Sequence, residues 1–226
     1  MRAPISVVIP TLNAETALPD CLRALIEGLD AGLIRELIVS DAGSTDATGA
    51  IAQAWGAEVL LGPPSRGGQL RRGCAAATGD WLLILHADTK LGSGWAEIAR
   101  AHLKTRRAGW FQLAFDSVGA PARLVAGWAN LRSRLGLPYG DQGLLVPRAV
   151  YEAAGGYPDQ PLMEDVALAR ALRGKLTGLA APAVTSAEKY HRDGWLKRGA
   201  RNLWTLARYT VGVPPARLAR GYERSR

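Results

Sequence analysis

The residues of this chain that could do chemistry form four short polar groups. The first three each follow an apolar run, and in chain order the groups are Asn13 with Glu15, Asp41, His86 with Asp88, and Glu164 with Asp165. Apolar runs that end in polar residues are typical of strands in an open α/β sheet, which binds its ligands at the carboxyl ends of its strands. We therefore expect that edge of the sheet to form the active site.

Asp41 stands at a strand end beside the turn that Gly43 allows. A carboxylate in that position can accept two donors at once, such as a nucleobase imide and a neighbouring backbone amide. The alternative is that Asp41 caps the helix that follows. We favour the first interpretation because Ser44 or Thr45 can supply that cap.

Asp88 follows the apolar run 80–85, which has the pattern of a strand buried on both faces. A single carboxylate among phosphates suits Mg²⁺ or Mn²⁺, which take one or two protein oxygens and fill their other sites with phosphate and water. His86 lies two residues earlier, on the same side of the strand. It could assist the metal, but a hydrogen bond to a ribose hydroxyl is the role that we favour.

Glu164 and Asp165 begin a predicted helix over 166–173, where the helix dipole stabilises negative charge. One of the two acids could serve as a general base while the other orients an acceptor or braces the loop. Acids at helix N-termini are common without any function, so this pair gains its meaning from the other three groups.

The order of the predicted elements indicates an α/β fold. The predicted strands are 5–10, 33–40, 59–61, 80–85, 109–115 and 143–146, and the predicted helices are 14–29, 45–54, 69–77, 95–103, 121–135 and 166–173. Strand and helix alternate three times up to Asp88, which is the rhythm of a parallel sheet. The less regular second half is typical of a part that recognises a variable substrate.

Several other kinds of site are excluded. The glycines of 62–67 have P-loop spacing, but Gly68 and Gln69 stand where Lys and Ser or Thr are required. No G-x-G-x-x-G follows the first strand and no C-x-x-C is present. The apolar stretch 5–10 is too short for a signal peptide, and no run reaches the roughly 20 apolar residues of a membrane span. We expect a cytoplasmic protein.

Taken in order and at their spacings, four motifs resemble those of the family 2 glycosyltransferases, which have the GT-A fold. The motifs are Pro-Thr-Leu-Asn at 10–13, Asp-Ala-Gly-Ser-Thr-Asp at 41–46, His-Ala-Asp at 86–88 and Glu-Asp at 164–165. The resemblance covers residues 5 to about 173, and the whole chain looks like a small bacterial subgroup of that family with an undefined acceptor.

The resemblance implies a nucleotide-diphosphate sugar as donor. The residues that match the family's donor site are Pro10, Thr11, Asn13 and Glu15 against the nucleoside, Asp41 as the reader of the base, and Arg66 after the third strand. The family's metal-binding D-x-D matches only at its last position, Asp88, because His86 replaces the first Asp. The implied cofactor is Mn²⁺ or Mg²⁺.

On the acceptor side, the resemblance makes Asp165 the catalytic base and Glu164 its partner. The segment 140–143 looks like the family's acceptor-side segment, so Asp141 and Gln142 are acceptor candidates, and an ordinary turn aspartate is an equal alternative for Asp141. Asp165 would take the proton of an acceptor hydroxyl as its oxygen attacks the anomeric carbon opposite the leaving diphosphate. The metal would neutralise that diphosphate. Such a single displacement inverts the anomeric centre.

The implied fold is a single GT-A domain over 1–186, with a mixed and mostly parallel sheet flanked by helices. We expect residues 1–92 to bind the nucleotide sugar, residues 93–186 to bind the acceptor, and residues 187–226 to form a basic helical extension. Two alternatives stay open. One is a sugar-1-phosphate nucleotidyltransferase, although the chain lacks its glycine-rich opening loop. The other is a non-catalytic basic module for membrane or nucleic acid, although no nucleic-acid-binding motif is present.

The extension carries most of the charge, because residues 187–226 hold ten Lys or Arg against three Asp or Glu, a net +7 of the total +8. Asp193 can cap a helix that runs to about Val211 with its apolar residues on one face. Such a basic helix with tryptophans could rest on the inner face of an anionic membrane, near a lipid-linked acceptor. The alternative, which we favour, is that its apolar face packs on the catalytic domain.

Overall fold

The computed structural model describes residues 2–223, so the last three residues of the predicted extension, 224–226, lie outside the described residues. The strands are β1 (Ile5–Thr11), β2 (Ile34–Asp41), β3 (Glu58–Leu61), β4 (Trp81–Ile84), β5 (Thr89–Leu91), β6 (Ala108–Phe115), β7 (Leu144–Pro147) and β8 (Leu176–Thr185). They form one sheet in the order β3-β2-β1-β4-β7-β6-β8-β5. Its first four strands are parallel, and β7 begins the mixed part by pairing antiparallel with β4.

Helices cover both faces of this sheet. They are α1 (Leu18–Ala24), α2 (Ile26–Asp30), α3 (Thr48–Ala54), α4 (Arg66–Ala76), α5 (Trp95–His102), α6 (Ala120–Arg134), α7 (Arg148–Ala153), α8 (Glu164–Ala171), α9 (Glu188–Asp193), α10 (Trp195–Thr210) and α11 (Pro215–Glu223), with a 3-10 turn at Gly140–Gln142. The α/β class and the mixed, mostly parallel sheet flanked by helices are confirmed.

Two apolar cores hold the layers together, one on each face of the sheet. In β1, Val7 and Ile9 belong to the core under α1 and α5, while Val8 between them belongs to the core under α4, α7 and α8. This alternation is the two-residue period of a strand that is buried on both sides. The parallel strands are therefore fixed in register, and their carboxyl ends come to one edge.

Two predictions about helix starts are wrong. The predicted helix 14–29 is a turn followed by the two helices α1 and α2, and α1 begins where Pro19 occupies its first turn, a position that proline favours. Neither Ser44 nor Thr45 caps α3, since that helix has Ala47 at its N-cap and no side-chain cap. The hydroxyl of Ser44 instead donates to Asp41 Oδ1 at 2.6 Å.

Strand β8 is the largest element that the sequence did not predict. Its ten residues include three alanines, Gly178 and Pro182 and no aromatic residue, a composition unlike that of typical strands. It is nevertheless the parallel neighbour of β6, with a register shift between Phe111 and Gln112. Tertiary pairing therefore outweighs the local preference of this segment.

The C-terminal helices differ from the prediction in two respects. Asp193 does not cap α10, whose N-cap is Gly194. The carboxylate of Asp193 instead accepts hydrogen bonds from Arg192, Arg198 and Arg201 at 2.7–2.9 Å. The expectation that the apolar face of α10 packs on the catalytic domain is also wrong, because Leu196, Trp204 and Val211 are exposed to 76%, 66% and 79%.

The face that α10 turns toward the protein is polar and aromatic. Arg198 and Thr205 are its buried residues, and Trp195 stacks on Tyr190 with ring centroids 4.9 Å apart. Beyond α10, Leu218 of α11 is buried against Met163 and Val166 at the start of α8. Within residues 2–223, no helix is both long and apolar enough to cross a membrane.

Candidate functional site

A cleft of about 880 Å³ opens at the carboxyl ends of the parallel strands. The donor-site candidates that line it are Pro10, Thr11, Asn13, Arg66, His86 and Asp88. They come from β1, from the first turn of α4 and from the loop after β4. The cleft thus contains most of the predicted donor residues, while Glu15, Asp41, Asp141, Gln142, Glu164 and Asp165 lie outside its lining.

The loops after β1 and β2 hold one another through reciprocal side-chain bonds. Asn13 Oδ1 accepts from the amide of Thr45 at 2.9 Å, and Glu15 Oε2 accepts from the amide of Ala47 at 3.0 Å. Asn13 adopts a φ of 50°, a region that Asn tolerates better than most residues. Asn13 and Glu15 are therefore structural partners of the 44–48 loop, and Asn13 also forms part of the cleft wall.

The carboxylate of Asp41 also holds the loop after β2 in place. Oδ1 accepts from the hydroxyls of Thr11 and Ser44 at 2.7 and 2.6 Å, and Oδ2 accepts from the amides of Gly43 and Ser44 at 2.9 and 2.7 Å. Burial favours the protonated acid, but these hydrogen bonds outweigh it and lower the pKa of Asp41. The roughly four acceptor sites of this carboxylate are all used within the protein.

Gln69 is a buried residue of the cleft that the sequence did not reveal. Its side-chain amide donates to the carbonyl oxygens of Thr11 and Ser40 at 2.7 and 3.0 Å. These carbonyls lie at the ends of β1 and β2, so Gln69 ties α4 to both strands. A polar residue in an otherwise helical pattern carries no distinct signal, so its role could not be predicted from the sequence.

The N-terminus of α4 lies at the cleft, but its first amides are already bonded. The amide of Gly67 donates to the carbonyl of Gln160 at 3.0 Å, and the amide of Gly68 donates to Ser65 Oγ at 3.3 Å. Free backbone amides are therefore not the main source of positive charge here. The lining supplies that charge through the side chains of Arg66, Lys90 and Lys189.

Arg66 links the predicted donor residues of the cleft to the predicted acceptor residues. Its Nε lies 3.3 Å from Glu164 Oε1, and one of its terminal nitrogens lies 3.0 Å from Nδ1 of His86. The ring of His86 faces Gly140, where an added Cβ would lie 2.4 Å from Nε2. The amide of Gly140 in turn donates to Asp165 Oδ2 at 2.8 Å. These contacts connect Glu164, Arg66, His86, Gly140 and Asp165 in one chain.

Glu164 is a carboxylate with an incomplete set of partners. It is 2% exposed, and Oε2 is buried without a hydrogen bond. Burial, together with the negative charge of Asp165, raises the pKa of Glu164 to about 7 against the opposing effect of Arg66. Glu164 therefore changes charge near neutral pH.

Asp141, like Glu164, has a carboxylate oxygen, Oδ1, that is buried without a hydrogen bond. Burial raises the pKa of Asp141 to about 6; Arg132 opposes this, and the negative charges of Asp165 and Asp88 add to it. Two acids with raised pKa values thus flank Asp165 on the acceptor side.

Asp165 is held by two backbone amides. Gly140 donates to Oδ2, and Val166 donates to Oδ1 at 2.7 Å. These bonds use about half of the acceptor sites of a carboxylate, so each oxygen keeps one site for another donor. The position of Asp165 is fixed by the chain on both sides of it, which is what a group that must meet a substrate atom requires.

Gln142 is wholly buried and braces the acceptor-side segment from inside. Its Oε1 accepts from Ser133 Oγ at 2.5 Å, and its Nε2 donates to Asn130 at 3.1 Å and to the carbonyl of Phe111 at 3.3 Å. Ser133 and Asn130 belong to α6, so that helix fixes the segment that carries Asp141. This contact also connects α6 with the acceptor side.

Asp88, the predicted metal ligand, lies in the lining of the cleft. Lys189 Nζ lies 3.5 Å from its Oδ2. Burial favours the protonated acid, but the His86 ring, Lys189 and Arg66 lower the pKa of Asp88. Residues 2–223 contain no cluster of three or more His, Cys, Asp or Glu that could hold an ion alone. This donor set fits a cation that is shared with a diphosphate, since Mg²⁺ in nucleotide sites takes only one or two protein carboxylates.

Comparison with known proteins identifies relatives of this chain. Residues 6–125 match the family model for glycosyl transferase family 2. An uncharacterized glycosyltransferase of Mycobacterium tuberculosis (strain ATCC 25618 / H37Rv) is 31% identical over 179 residues, which are 72% of this chain and 79% of that protein.

Solved structures share the fold at lower identity. Glucosyl-3-phosphoglycerate synthase from Mycobacterium tuberculosis, in complex with Mn²⁺, UDP and glucosyl-3-phosphoglycerate, is 23% identical with a TM-score of 0.62, over 93% of this chain and 81% of that chain. S. aureus TarS 1-349 in complex with UDP-GlcNAc is 15% identical with a TM-score of 0.62, over 81% of this chain and 58% of that chain. Both likenesses support the GT-A architecture.

Proposed function

The chain belongs to glycosyl transferase family 2, and on that premise we propose that it transfers a sugar from a nucleotide-diphosphate donor to a hydroxyl group of an acceptor. The observation that carries the proposal is the cleft at the strand ends, where Arg66, Lys90 and Lys189 stand beside Asp88, and where Arg66 contacts Glu164 next to Asp165. Residues 1–92 would bind the donor and residues 93–186 the acceptor, with 187–226 as an extension.

In this proposal the nucleoside lies against Pro10, Thr11 and Asn13, which line the cleft. Asp41 reads the base, and Glu15 supports that site through the 44–48 loop. Because all acceptor sites of Asp41 are used, a base would have to replace one of its hydroxyl donors, and the hydroxyl of Ser44 can rotate away. Two solved neighbours bind UDP or UDP-GlcNAc, so uridine diphosphate is the first donor nucleotide to test.

The diphosphate of the donor would meet Arg66, Lys90 and Lys189. Arg66 is held by Glu164 and His86, so its guanidinium is oriented before the donor binds. Such pre-positioned charge stabilises the negative charge that develops on a leaving group without further reorganisation. His86 would contact the ribose or the diphosphate beside it.

A divalent cation, Mn²⁺ or Mg²⁺, would be held by Asp88 together with the diphosphate. When bound, it would neutralise charge on the leaving diphosphate as a Lewis acid. The side chain of Lys189 would then have to leave Asp88, which is inexpensive because that ion pair is half exposed.

We assign the base to Asp165, which would take the proton of the acceptor hydroxyl as its oxygen attacks the anomeric carbon. The attack comes from the face opposite the diphosphate, so the reaction is a single displacement with inversion. Glu164 orients Arg66, and Asp141 contacts the acceptor through its unbonded oxygen. Gln142 keeps that segment in place.

We propose that the acceptor is linked to a lipid. The support is the exposed apolar face of α10. The other face of α10 belongs to the apolar cluster in which α11 packs against the start of α8. An enzyme that works on a lipid-linked hydroxyl must bring its acceptor side to the membrane surface, and an exposed apolar face suits that purpose.

The donor half of the proposal can be tested by thermal unfolding with a panel of nucleotide sugars, with and without Mn²⁺. A donor that binds the folded protein raises its midpoint by mass action. We expect at least one uridine diphosphate sugar to do so, and the shift to grow with Mn²⁺. In Asp88→Ala, the additional midpoint shift that depends on Mn²⁺ should disappear. Asp80→Ala, at the opposite end of β4, should keep that additional shift. If no nucleotide sugar shifts the midpoint, the proposed function is wrong.

A further inference from the structure

Helices α6 and α10 pack against each other, and both carry an apolar stripe that no part of the described chain covers. The exposed residues of this outer face are Leu124, Trp128, Leu131 and Leu135 on α6, and Leu196, Leu203, Trp204 and Val211 on α10. On α6 the spacing is four, three and four residues, so all four lie on one side of the helix. Exposed apolar residues that form such continuous stripes mark a binding surface.

The inner sides of the two helices explain why the apolar sides face outward. In α6, Asn130 bonds the backbone of Leu113 and Ser133 bonds Gln142. In α10, Arg198 and Arg201 bond Asp193. The polar sides are thus fixed to the protein by specific hydrogen bonds. The outward apolar stripes are therefore a consequence of the way in which the helices are anchored.

The charges on the two helices have one sign. Together α6 and α10 contain seven Lys or Arg and no Asp or Glu. Arg123, Arg134 and Lys197 are exposed beside the apolar stripes. Tryptophan is enriched where proteins meet the membrane interface, and basic side chains are attracted to anionic headgroups. The combination fits an anionic lipid surface better than a second copy, since two copies of this face would repel each other.

We propose that the outer face of α6 and α10 is a docking surface for an anionic lipid bilayer. This builds on the lipid-linked acceptor proposed above and extends the contact from the C-terminal extension to α6 of the catalytic domain. Because Ser133 of α6 holds Gln142 beside Asp141, and Leu218 of α11 packs beside the start of α8, the docked helices would bring the acceptor segments close to the membrane.

Flotation with lipid vesicles tests the proposal in the absence of any nucleotide sugar. We expect the protein to float with vesicles that contain about 30% phosphatidylglycerol, and to bind at least about tenfold more weakly to pure phosphatidylcholine. Replacing both Trp128 and Trp204 by Ser should lower binding to the anionic vesicles by about tenfold or more. Trp55→Ser is the matched control, because Trp55 is an exposed tryptophan at the C-cap of α3.

A double charge-reversal variant separates electrostatic docking on anionic lipid from nonspecific adsorption. Arg123→Glu with Lys197→Glu should lower binding to anionic vesicles by at least about tenfold and leave the weak binding to neutral vesicles unchanged. Lys104→Glu, after α5, should have little effect. The unfolding midpoint of each variant, with and without a nucleotide sugar, reports whether the fold and the donor site persist.

Two results would overturn the docking surface. One is a wild-type protein that does not float with anionic vesicles. The other is a wild-type dimer in lipid-free solution that the Trp128 and Trp204 changes convert to a monomer without altering vesicle binding, which would make this face a contact between copies. Because no step requires transfer, an enzyme that lacks transferase activity but floats as expected would reject the proposed function and keep this inference.

Discussion

Asp41 at the end of β2 and Glu164 at the start of α8 are both 2% exposed, yet their pKa values shift in opposite directions. Asp41 accepts four hydrogen bonds from the loop that it organises. Glu164 has one partner, Arg66, and an oxygen without a hydrogen bond. At Asp41 the hydrogen bonds outweigh burial and lower the pKa, whereas at Glu164 burial, aided by the charge of Asp165, outweighs the attraction of Arg66 and raises the pKa.

The two halves of the protein repeat this difference. On the proposed donor side, Asp41 and Asp88 have lowered pKa values, so that side would present fixed charges to a ligand. On the proposed acceptor side, burial raises the pKa of Glu164 to about 7 and that of Asp141 to about 6. Environments that separate the pKa values of carboxylates are characteristic of sites that do acid and base chemistry. The comparison supports the proposal that the first half binds the donor and the second half moves the proton.

Apart from loss of the base itself, the largest effect should come from Gly140, where the two sides meet. In Gly140→Ala the new Cβ would lie 2.4 Å from His86 Nε2, so His86 or the 140–143 segment must move. We expect turnover to fall by about 10²-fold, the usual result of a misplacement of about 1 Å. Gly49→Ala, in a position with open space around it, should retain full activity. A fully active Gly140→Ala enzyme would show that the contact between the two sides is dispensable.

The next effect concerns donor binding. Asp41→Ala removes the acceptor that holds Gly43 and Ser44, and we expect nucleotide affinity to fall by about 1–3 kcal/mol. Calorimetric titration with UDP and with UDP-glucose should give similar losses if Asp41 acts on the nucleotide. A loss of affinity for UDP-glucose alone would mean that Asp41 contacts the sugar and not the base.

The comparison also predicts opposite pH dependences of stability. The raised pKa of Glu164 means that the folded state binds its proton more tightly than the unfolded state does. Relative to Glu164→Gln, the wild type should therefore lose up to about 3 kcal/mol of stability as the pH rises from the unfolded pKa to about 7. Relative to Asp41→Asn, it should lose stability as the pH falls below the unfolded pKa of Asp41. Urea unfolding at several pH values measures both, and equal signs would contradict the comparison.

The smallest effect should come from Lys189. It is half exposed and its ion pair with Asp88 is long, so Lys189→Ala should lower donor affinity by about two- to fivefold. The loss should shrink at high salt because exposed charges are screened. Lys104→Ala serves as the control. A loss above about 10²-fold would mean that Lys189 carries the diphosphate alone.

The sequence predicted some elements and site residues of this protein and left others out. β1, β2 and β4 each contain an apolar run near their carboxyl ends, so these ends, and with them the positions of Asp41 and Asp88, follow from the sequence. β8 is rich in alanine and has no strand signal, and Gln69 and Lys189 reach the cleft only through tertiary packing. The bonding of Asp41 and Glu164 also depends on long-range contacts, so the sequence identified both residues and did not reveal their opposite environments.

The central claim is that Asp165 acts on the acceptor hydroxyl and takes no part in holding the donor. Asp165→Asn keeps the shape of the side chain and can still accept the amide of Gly140, but it cannot take up a proton. Single-turnover transfer, measured beside donor titration of the same variant, tests this most directly. We predict a rate about 10²-fold lower or more, with donor affinity within a few-fold of the wild type. A fully active Asp165→Asn enzyme would contradict the account, and a loss of activity in Glu164→Gln with an active Asp165→Asn would move the base to Glu164.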